Sequence, residues 1–260
     1  MRLRHLLYCL FFLFTFQTCL NGQTRFIWPT GEELTYNVSW SFINLGTVKL
    51  KVLGKTEIDG KQVNRVKFTI QSNPMLFWLQ NESVYESFID DSLRTIRFIT
   101  DEYVDGVAYK AVYNFNYTDS LVNINLLENT DSTKSIDRVI EMHDRLIDGI
   151  ALIYDTREQV NRKNHYSRTT FFEDNTGDVE LIATGRTEPV EIDTLDQPIE
   201  SWLLEGNIHI KGIAGVTGPY KGWFSADETR VPVFAELKVF IGNVKVELED
   251  WEKWQPPMLN

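Results

Sequence analysis

Cysteine is almost missing from this chain of 260 residues, with Cys9 and Cys19 the only two. Both precede the expected processing point after Gly22, so a mature chain has no thiol nucleophile, no sulfur ligand for zinc and no disulfide framework. Histidine is scarce as well. Beyond the leader only His143, His165 and His209 remain, and none forms an i, i+4 or H-x-H pair, so no local metal motif exists and no cofactor is expected. Neither G-x-S-x-G nor S-x-x-K occurs, which removes the usual signals of a serine nucleophile. Basic charge is in deficit, with 26 Lys and Arg against 37 Asp and Glu. Loss of Arg2 and Arg4 with the leader moves the net charge from −11 to −13. A chain this acidic repels phosphate backbones, so nucleic acid is excluded as a partner. After residue 22 no apolar run approaches the roughly 20 residues of a transmembrane helix.

What is present begins with an address. Arg2 and Arg4 precede an apolar run from Leu6 to Phe16, and Gln17 to Gly22 turn polar and small. This is the layout of a secretory signal peptide over residues 1–22, and residues 23–260 then form one exported domain. The expected location is the periplasm. The alternative is an outer-membrane association through a lipidated Cys19, although Phe16, Gln17 and Thr18 fit a lipobox poorly.

Period-two alternation dominates the body and predicts an all-β, mostly antiparallel fold. Leu34, Tyr36, Val38 and Trp40 share a face, and Val48, Leu50 and Val52 return after a turn near Asn44 to Gly46. Val66, Phe68 and Ile70 suggest a third strand, followed by an apolar run from Met75 to Leu79 that reads as a buried turn or a lip. Val84, Glu86 and Phe88 oppose Tyr85, and strands near 93–100 and 107–117 follow. The last is the most regular, with Val107, Tyr109, Ala111, Tyr113, Phe115 and Tyr117 on one face. After a polar break at Glu128 to Ser135, Asp148 is placed to cap an amphipathic helix running through Ile150, Ala151, Ile153, Tyr154 and Arg157. Strands resume at Tyr166–Phe172, Val179–Ala183, Val190–Ile192 and Ile199–Ile210. Gly212 to Gly222 read as a long connecting loop. Val233 to Ile241 and Val244 to Leu248 alternate as a final hairpin, with Gly242-Asn243 as a two-residue type II′ turn.

Three segments carry a family resemblance: Gly31-Glu32-Glu33-Leu34-Thr35-Tyr36 with Trp40 and Gly46; Asp148 through Arg157; and Gly222-Trp223-Phe224-Ser225-Ala226-Asp227 with Arg230, Pro232 and the last hairpin. Together they resemble the DUF3108 family of exported bacterial proteins of unknown function, across nearly the whole mature chain. The resemblance implies a curved β-roll or barrel with one packed α-helix and brings no catalytic residues. The leader, with Gln23 after its small-residue end, is similar to those of exported Bacteroidetes proteins.

The aromatic residues supply the candidate ligand-binding set. Tyr109, Tyr113, Phe115 and Tyr117, with Trp40 and Trp223, offer apolar faces with polar tips suited to an apolar or glycan-like ligand, or else they fill a β core. The acidic pairs Asp90-Asp91, Asp101-Glu102 and Asp227-Glu228 read as solvated turns, with Asp227 and Arg230 forming a local ion pair. His143-Asp144 reads as surface. Asn37, Asn81 and Asn116 open N-x-S/T triplets, and Asp91, Asp119 and Asp193 open short Asp-Ser/Thr-Leu triplets that resemble O-glycosylation sites. The expected function is a non-enzymatic envelope protein that binds such a ligand or an envelope partner. An envelope hydrolase with converging carboxylates, or a purely structural or assembly protein, are the alternatives.

Overall fold

Alternating apolar residues, interrupted by short turns, fold the first half of the chain as a meander. The computed structural model describes residues 26–76, 81–104, 107–128, 135–142, 146–172, 175–210, 216–239 and 242–257. The leader, Phe77 to Leu79, and His143-Asp144 lie outside these. The meander runs through β1 (Glu33–Trp40), β2 (Ile43–Ile58), β3 (Lys61–Ser72) and β4 (Asn81–Ile89). It continues through β5 (Thr95–Val104), β6 (Val107–Asn116), β7 (Leu121–Glu128) and β8 (Ser135–Glu141). A short β9 (Leu146–Asp148) then leads directly into the helix α1 (Gly149–Gln159). The return half is β10 (Asn164–Phe172), β11 (Asn175–Val190), β12 (Ile199–Ile208), β13 (Gly218–Ser225), β14 (Pro232–Lys238) and β15 (Asn243–Glu252).

All fifteen strands join one sheet, in the order β8 to β1, then β15 down to β9. The last strand therefore pairs with the first, Leu34 opposite Trp251 and Trp40 opposite Val244. Every described pairing is antiparallel except β9 with β10. The sheet rolls until its β9–β10 end lies against the inner face of β4 to β6. There Asp148 takes hydrogen bonds from the Ser87 and Thr95 hydroxyls at 2.6 Å each, and the Tyr117 hydroxyl donates to the Leu146 carbonyl at 3.0 Å.

Turn chemistry shifts several boundaries. The first hairpin turns at Ser41-Phe42, with Ser41 at φ 56°, and Gly46 instead occupies a bulge two strand positions later. A Cβ on Gly46 would lie 2.2 Å from the Gln71 carbonyl oxygen, so the close approach of β3 requires glycine there. β11 is one long strand bent by a bulge between Ala183 and Thr187, where Gly185 sits at φ 68°. β7, β8 and β9 fill the region before the helix that the sequence left unassigned. The second half of the glycine-rich passage, from Gly218, is strand β13. Lys238 pairs with Asn243, so the final hairpin does not turn at Gly242-Asn243 as expected. The Val239 N–H donates to the Gly242 carbonyl at 3.2 Å.

The helix occupies the lumen. Asp148 caps it, accepting from the Ile150 and Ala151 N–H groups at 2.7 and 3.1 Å. Its buried residues are Ile150, Ala151, Tyr154, Asp155, Thr156 and Arg157, spread around most of its circumference. The packed helix is as expected, but its buried face is wider than one amphipathic stripe, because sheet surrounds the helix on several sides. Its buried charges are paired, with the Arg168 Nε donating to Asp155 at 2.9 Å.

Candidate functional site

The helix divides the roll into two unlike halves. On the side of β4 to β6, large rings fill the space between sheet and helix. Tyr85 stacks on Phe98 with centroids 6.0 Å apart, Phe98 meets Tyr113 at 6.0 Å, and Phe171 from β10 lies edge-on to Tyr113 at 4.9 Å and to Phe115 at 6.0 Å. On the other side, the consecutive strands β3 to β1 and β15 to β12 curve around the helix, with aliphatic side chains and glycines set among the rings of Tyr36, Phe68, Tyr220, Phe224 and Phe234. An apolar cavity of about 550 Å³ remains there.

Its wall includes Val38, Val48, Leu50 and Ile70 from the opening strands, Leu152 and Ile153 from the helix, and Val244 and Val246 from β15. Three hydroxyls near it are already engaged. The Tyr36 hydroxyl donates to the Pro232 carbonyl at 3.0 Å, the Thr156 hydroxyl to the Leu152 carbonyl at 2.8 Å, and the Tyr220 hydroxyl to the Glu180 carbonyl at 3.3 Å. Burial, reinforced by the Glu32 carboxylate, pushes the Tyr36 hydroxyl well above the usual tyrosine range, so it stays neutral. Lys221 is the sole charged residue in the wall, and its ammonium lies 3.4 Å from Glu205 on a half-exposed side chain. The cavity is thus shaped for an uncharged, apolar occupant.

The three segments that carry the family resemblance meet beneath this cavity. Arg157 reaches Glu32 through two hydrogen bonds of 2.5 and 2.9 Å, with both side chains buried. It also donates to the Thr229 carbonyl at 2.8 and 3.1 Å. The Arg230 Nε donates to the Arg157 carbonyl instead of joining the expected ion pair with Asp227. Asp227 is satisfied otherwise, by the Thr229 and Arg230 N–H groups at 2.8 and 3.0 Å and by the Trp254 indole at 2.8 Å. Burial raises the Asp227 pKa, but these hydrogen bonds, with those of the Thr229 and Ser225 hydroxyls, outweigh it and hold the carboxyl below the ordinary aspartate value. This cluster fastens the end of the helix to both halves of the chain. Sequence spacing alone gave no sign of it, because Glu32 and Arg157 are 125 positions apart.

The sequence-derived site residues do not gather around the cavity. Tyr113 and Phe115 are buried against Phe171 in the filled half. Tyr117 lies in the turn after β6, its hydroxyl donating to the Thr95 and Leu146 carbonyls at 2.8 and 3.0 Å. Tyr109 is 37% exposed near the start of β6. The Trp223 indole donates to Glu188 at 2.5 Å, and its ring packs on Phe234 at 5.4 Å. Trp40 ends β1 close to Gly242. The wall residues that sequence reasoning passed over are mostly aliphatic, with the rings of Tyr36, Phe68, Tyr220, Phe224 and Phe234 among them, and those in strands had only the alternation that already marked them as strand.

Among the described residues, the buried carboxylates are each held within the fold. Buried Glu32, Asp155 and Asp148 are held by Arg157, by Arg168, and by Ser87 with Thr95. His165 meets Glu180 at 2.7 Å, with His209 at 4.0 Å, on exposed side chains. Among the described residues no group of three His, Cys, Asp or Glu is placed to hold a metal ion, and no helix is long and apolar enough to cross a membrane. Asp90 closes its own turn, accepting from the Ser92 and Arg94 N–H groups at 2.8 and 2.9 Å.

By fold, the molecule is a β-barrel-like roll with a helix in its lumen. The chain belongs to the DUF3108 family, proteins of unknown function, whose model matches residues 35–249. Among solved structures it is similar to a β-barrel-like protein of the DUF1849 domain of unknown function from Brucella abortus. That likeness has 11% identity and a TM-score of 0.57, over 86% of this chain and 98% of the other. A Bacteroides fragilis protein of YmcC-like fold aligns at 10% identity with a TM-score of 0.33, over 86% of this chain and 96% of that one. No protein of curated function matches. The Brucella likeness supports the fold and nothing finer.

Proposed function

We propose that this chain is an exported binding protein that holds an apolar ligand of the acyl-chain class inside its roll. The observation that carries this reading is the cavity of about 550 Å³, whose only charged wall residue directs its ammonium toward Glu205. Glycan ligands need convergent polar groups, and the Tyr36, Thr156 and Tyr220 hydroxyls here are spent on the protein's own carbonyls. The leader, which supports delivery to the envelope, places such a protein where lipids must cross water between membranes. About ten methylenes buried at ~0.8 kcal/mol each give roughly 8 kcal/mol before the costs of ordering, which corresponds to micromolar affinity or weaker.

Titration with a fluorescent polyene fatty acid tests this. Saturable, micromolar binding that long-chain fatty acids or phospholipids displace, and soluble oligosaccharides do not, is the expected result. Val246→Trp, which fills the cavity from β15, should displace about three methylenes and weaken binding by ~2 kcal/mol, or roughly 30-fold. Unsaturable uptake, or affinity unchanged by Val246→Trp, removes the reading and leaves an assembly role as the better one.

A further inference from the structure

The rim of the cavity differs from the rest of this acidic molecule. Cavity-wall residues Leu45, Gln71, Ser72, Val216 and Val239 lie at the strand ends of one end of the roll, whereas the Glu32–Arg157 cluster closes the other. The β1–β2 and β3 parts of this rim carry no charge, whereas Lys238 lies beside Val239 and Lys221 in the cavity wall. Leu34 to Val48, Phe68 to Leu76, Val216 to Tyr220 and Gly242 to Val244 contain no Asp, Glu, Lys or Arg, in a chain that is 24% charged. Turns at the opposite end carry Asp59 and Lys61, Asp90 and Arg94, Arg162 and Lys163, and Asp227 with Arg230.

Two apolar side chains project from the uncharged part of this rim. Phe42, in the β1–β2 turn, is 92% exposed, and Met75, just after β3, is 85% exposed. Their turns are tied together. The Asn73 N–H donates to the Leu45 carbonyl at 2.8 Å, its side-chain amide donates to the Asn44 carbonyl at 3.0 Å, and its side-chain oxygen accepts from the Met75 N–H at 3.0 Å. Trp40 stands behind Phe42 at the end of β1, an aromatic residue of the kind enriched at membrane–water interfaces.

We propose that this end of the roll docks on a lipid bilayer surface, with Phe42 and Met75 inserted among the acyl chains and the cavity mouth facing the membrane. The chemistry of the rim selects this occupant. Inserted charge is costly in lipid, and the turns that carry Phe42 and Met75 have none; projecting single side chains suit a fluid phase better than the flat, close-packed patch of a protein interface. A net charge of −11 gives no electrostatic attraction to anionic lipid, so the contact is apolar. The purpose of docking rests on the acyl-ligand reading, since a mouth pressed to the bilayer lets a lipid enter without crossing water. The contact itself does not depend on it.

Flotation of the purified exported protein with vesicles of uncharged phosphatidylcholine tests the proposal. The wild type should float with the vesicles in low and high salt alike. Phe42→Asp/Met75→Asp should lower the vesicle-bound fraction at least tenfold while leaving fluorescent fatty-acid affinity in solution unchanged, since neither residue lines the cavity. A wild type that does not float, a double variant that floats equally well, or binding that requires anionic lipid and vanishes with salt each overturns docking. Val246→Trp separates the two readings: it should lose fatty-acid binding and keep flotation.

Discussion

Replacing Arg157 by Met tests whether the lumenal helix is held by its buried ion pair. Methionine keeps much of the side chain's length and apolar contact but removes four hydrogen bonds, two to Glu32 and two to the Thr229 carbonyl. What remains is a Glu32 carboxylate only 3% exposed with its guanidinium partner gone. Breaking one side of such a pair costs about 3–5 kcal/mol, mainly through the charge left unpaired in low dielectric. Against a total stability of about 5–15 kcal/mol, that is a large share. For a chain of this size it should lower the melting temperature by roughly 6–20 °C. Urea unfolding followed by far-UV circular dichroism would measure it, with the m-value checked for two-state behaviour. The double variant Glu32→Leu/Arg157→Met removes both charges and should recover to within about 1 kcal/mol of wild type. A cost below about 1 kcal/mol for Arg157→Met, or a double variant as unstable as the summed single ones, refutes the reasoning.

Asp148→Ala should destabilise by about 2–4 kcal/mol, from the lost helix cap and the stranded Ser87 and Thr95 hydroxyls, read as a fall in urea midpoint. Asp148→Asn keeps the cap and changes the pH dependence instead. Burial raises the Asp148 pKa against the opposing hydrogen bonds, so its contribution favours the fold below the unfolded value near pH 4 and is lost as pH rises through the higher folded value. The stability of Asp148→Asn relative to wild type should therefore improve between about pH 3.5 and pH 7, and a constant difference would contradict the sign. Phe171→Ala, in the filled half, should cost about 3–5 kcal/mol and reduce near-UV circular dichroism without changing fatty-acid affinity. An equal loss of affinity would mean that the two halves are not separate.

Strand patterning made most of the fold legible, because one face of nearly every strand is buried and the period is unambiguous. Turns were less so. The Asn44–Gly46 passage has the composition of a turn, yet the chain reverses at Ser41-Phe42 and spends Gly46 on a bulge that lets β3 approach. β7 carries the same alternation, Val122, Ile124 and Leu126 against Asn123 and Asn125, and was passed over because it runs straight into a strongly polar passage. Inward-facing Ser87 and Thr95 have no apolar signature, and only the arrival of Asp148 from β9 gives them a role. The cavity was illegible for a different reason. A sequence shows which residues point inward, but a void depends on what lies opposite, and β3 to β1 and β15 to β12 curve around the helix only after the sheet has rolled.

Side-chain size then accounts for why one half of the roll is filled and the other hollow. Around the filled half the inward positions hold Tyr85, Phe98, Tyr113, Phe115 and Phe171, whose rings span from wall to wall. Around the hollow half the wall also carries rings, those of Tyr36, Phe68, Phe224 and Phe234, but Val38, Val48, Ala235, Val244 and Val246, with Gly46 and Gly222, stand among them and leave space unfilled. An accidental void of this size would be a heavy penalty, since stability falls by about 24 cal/mol for each Å³ of unfilled core. Such a cost is offset when an apolar ligand supplies the missing contacts. Of the aromatic face, Tyr113 and Phe115 pack against Phe171, and the cavity lies elsewhere, along the strands that carry Val38, Val48, Ala235, Val244 and Val246.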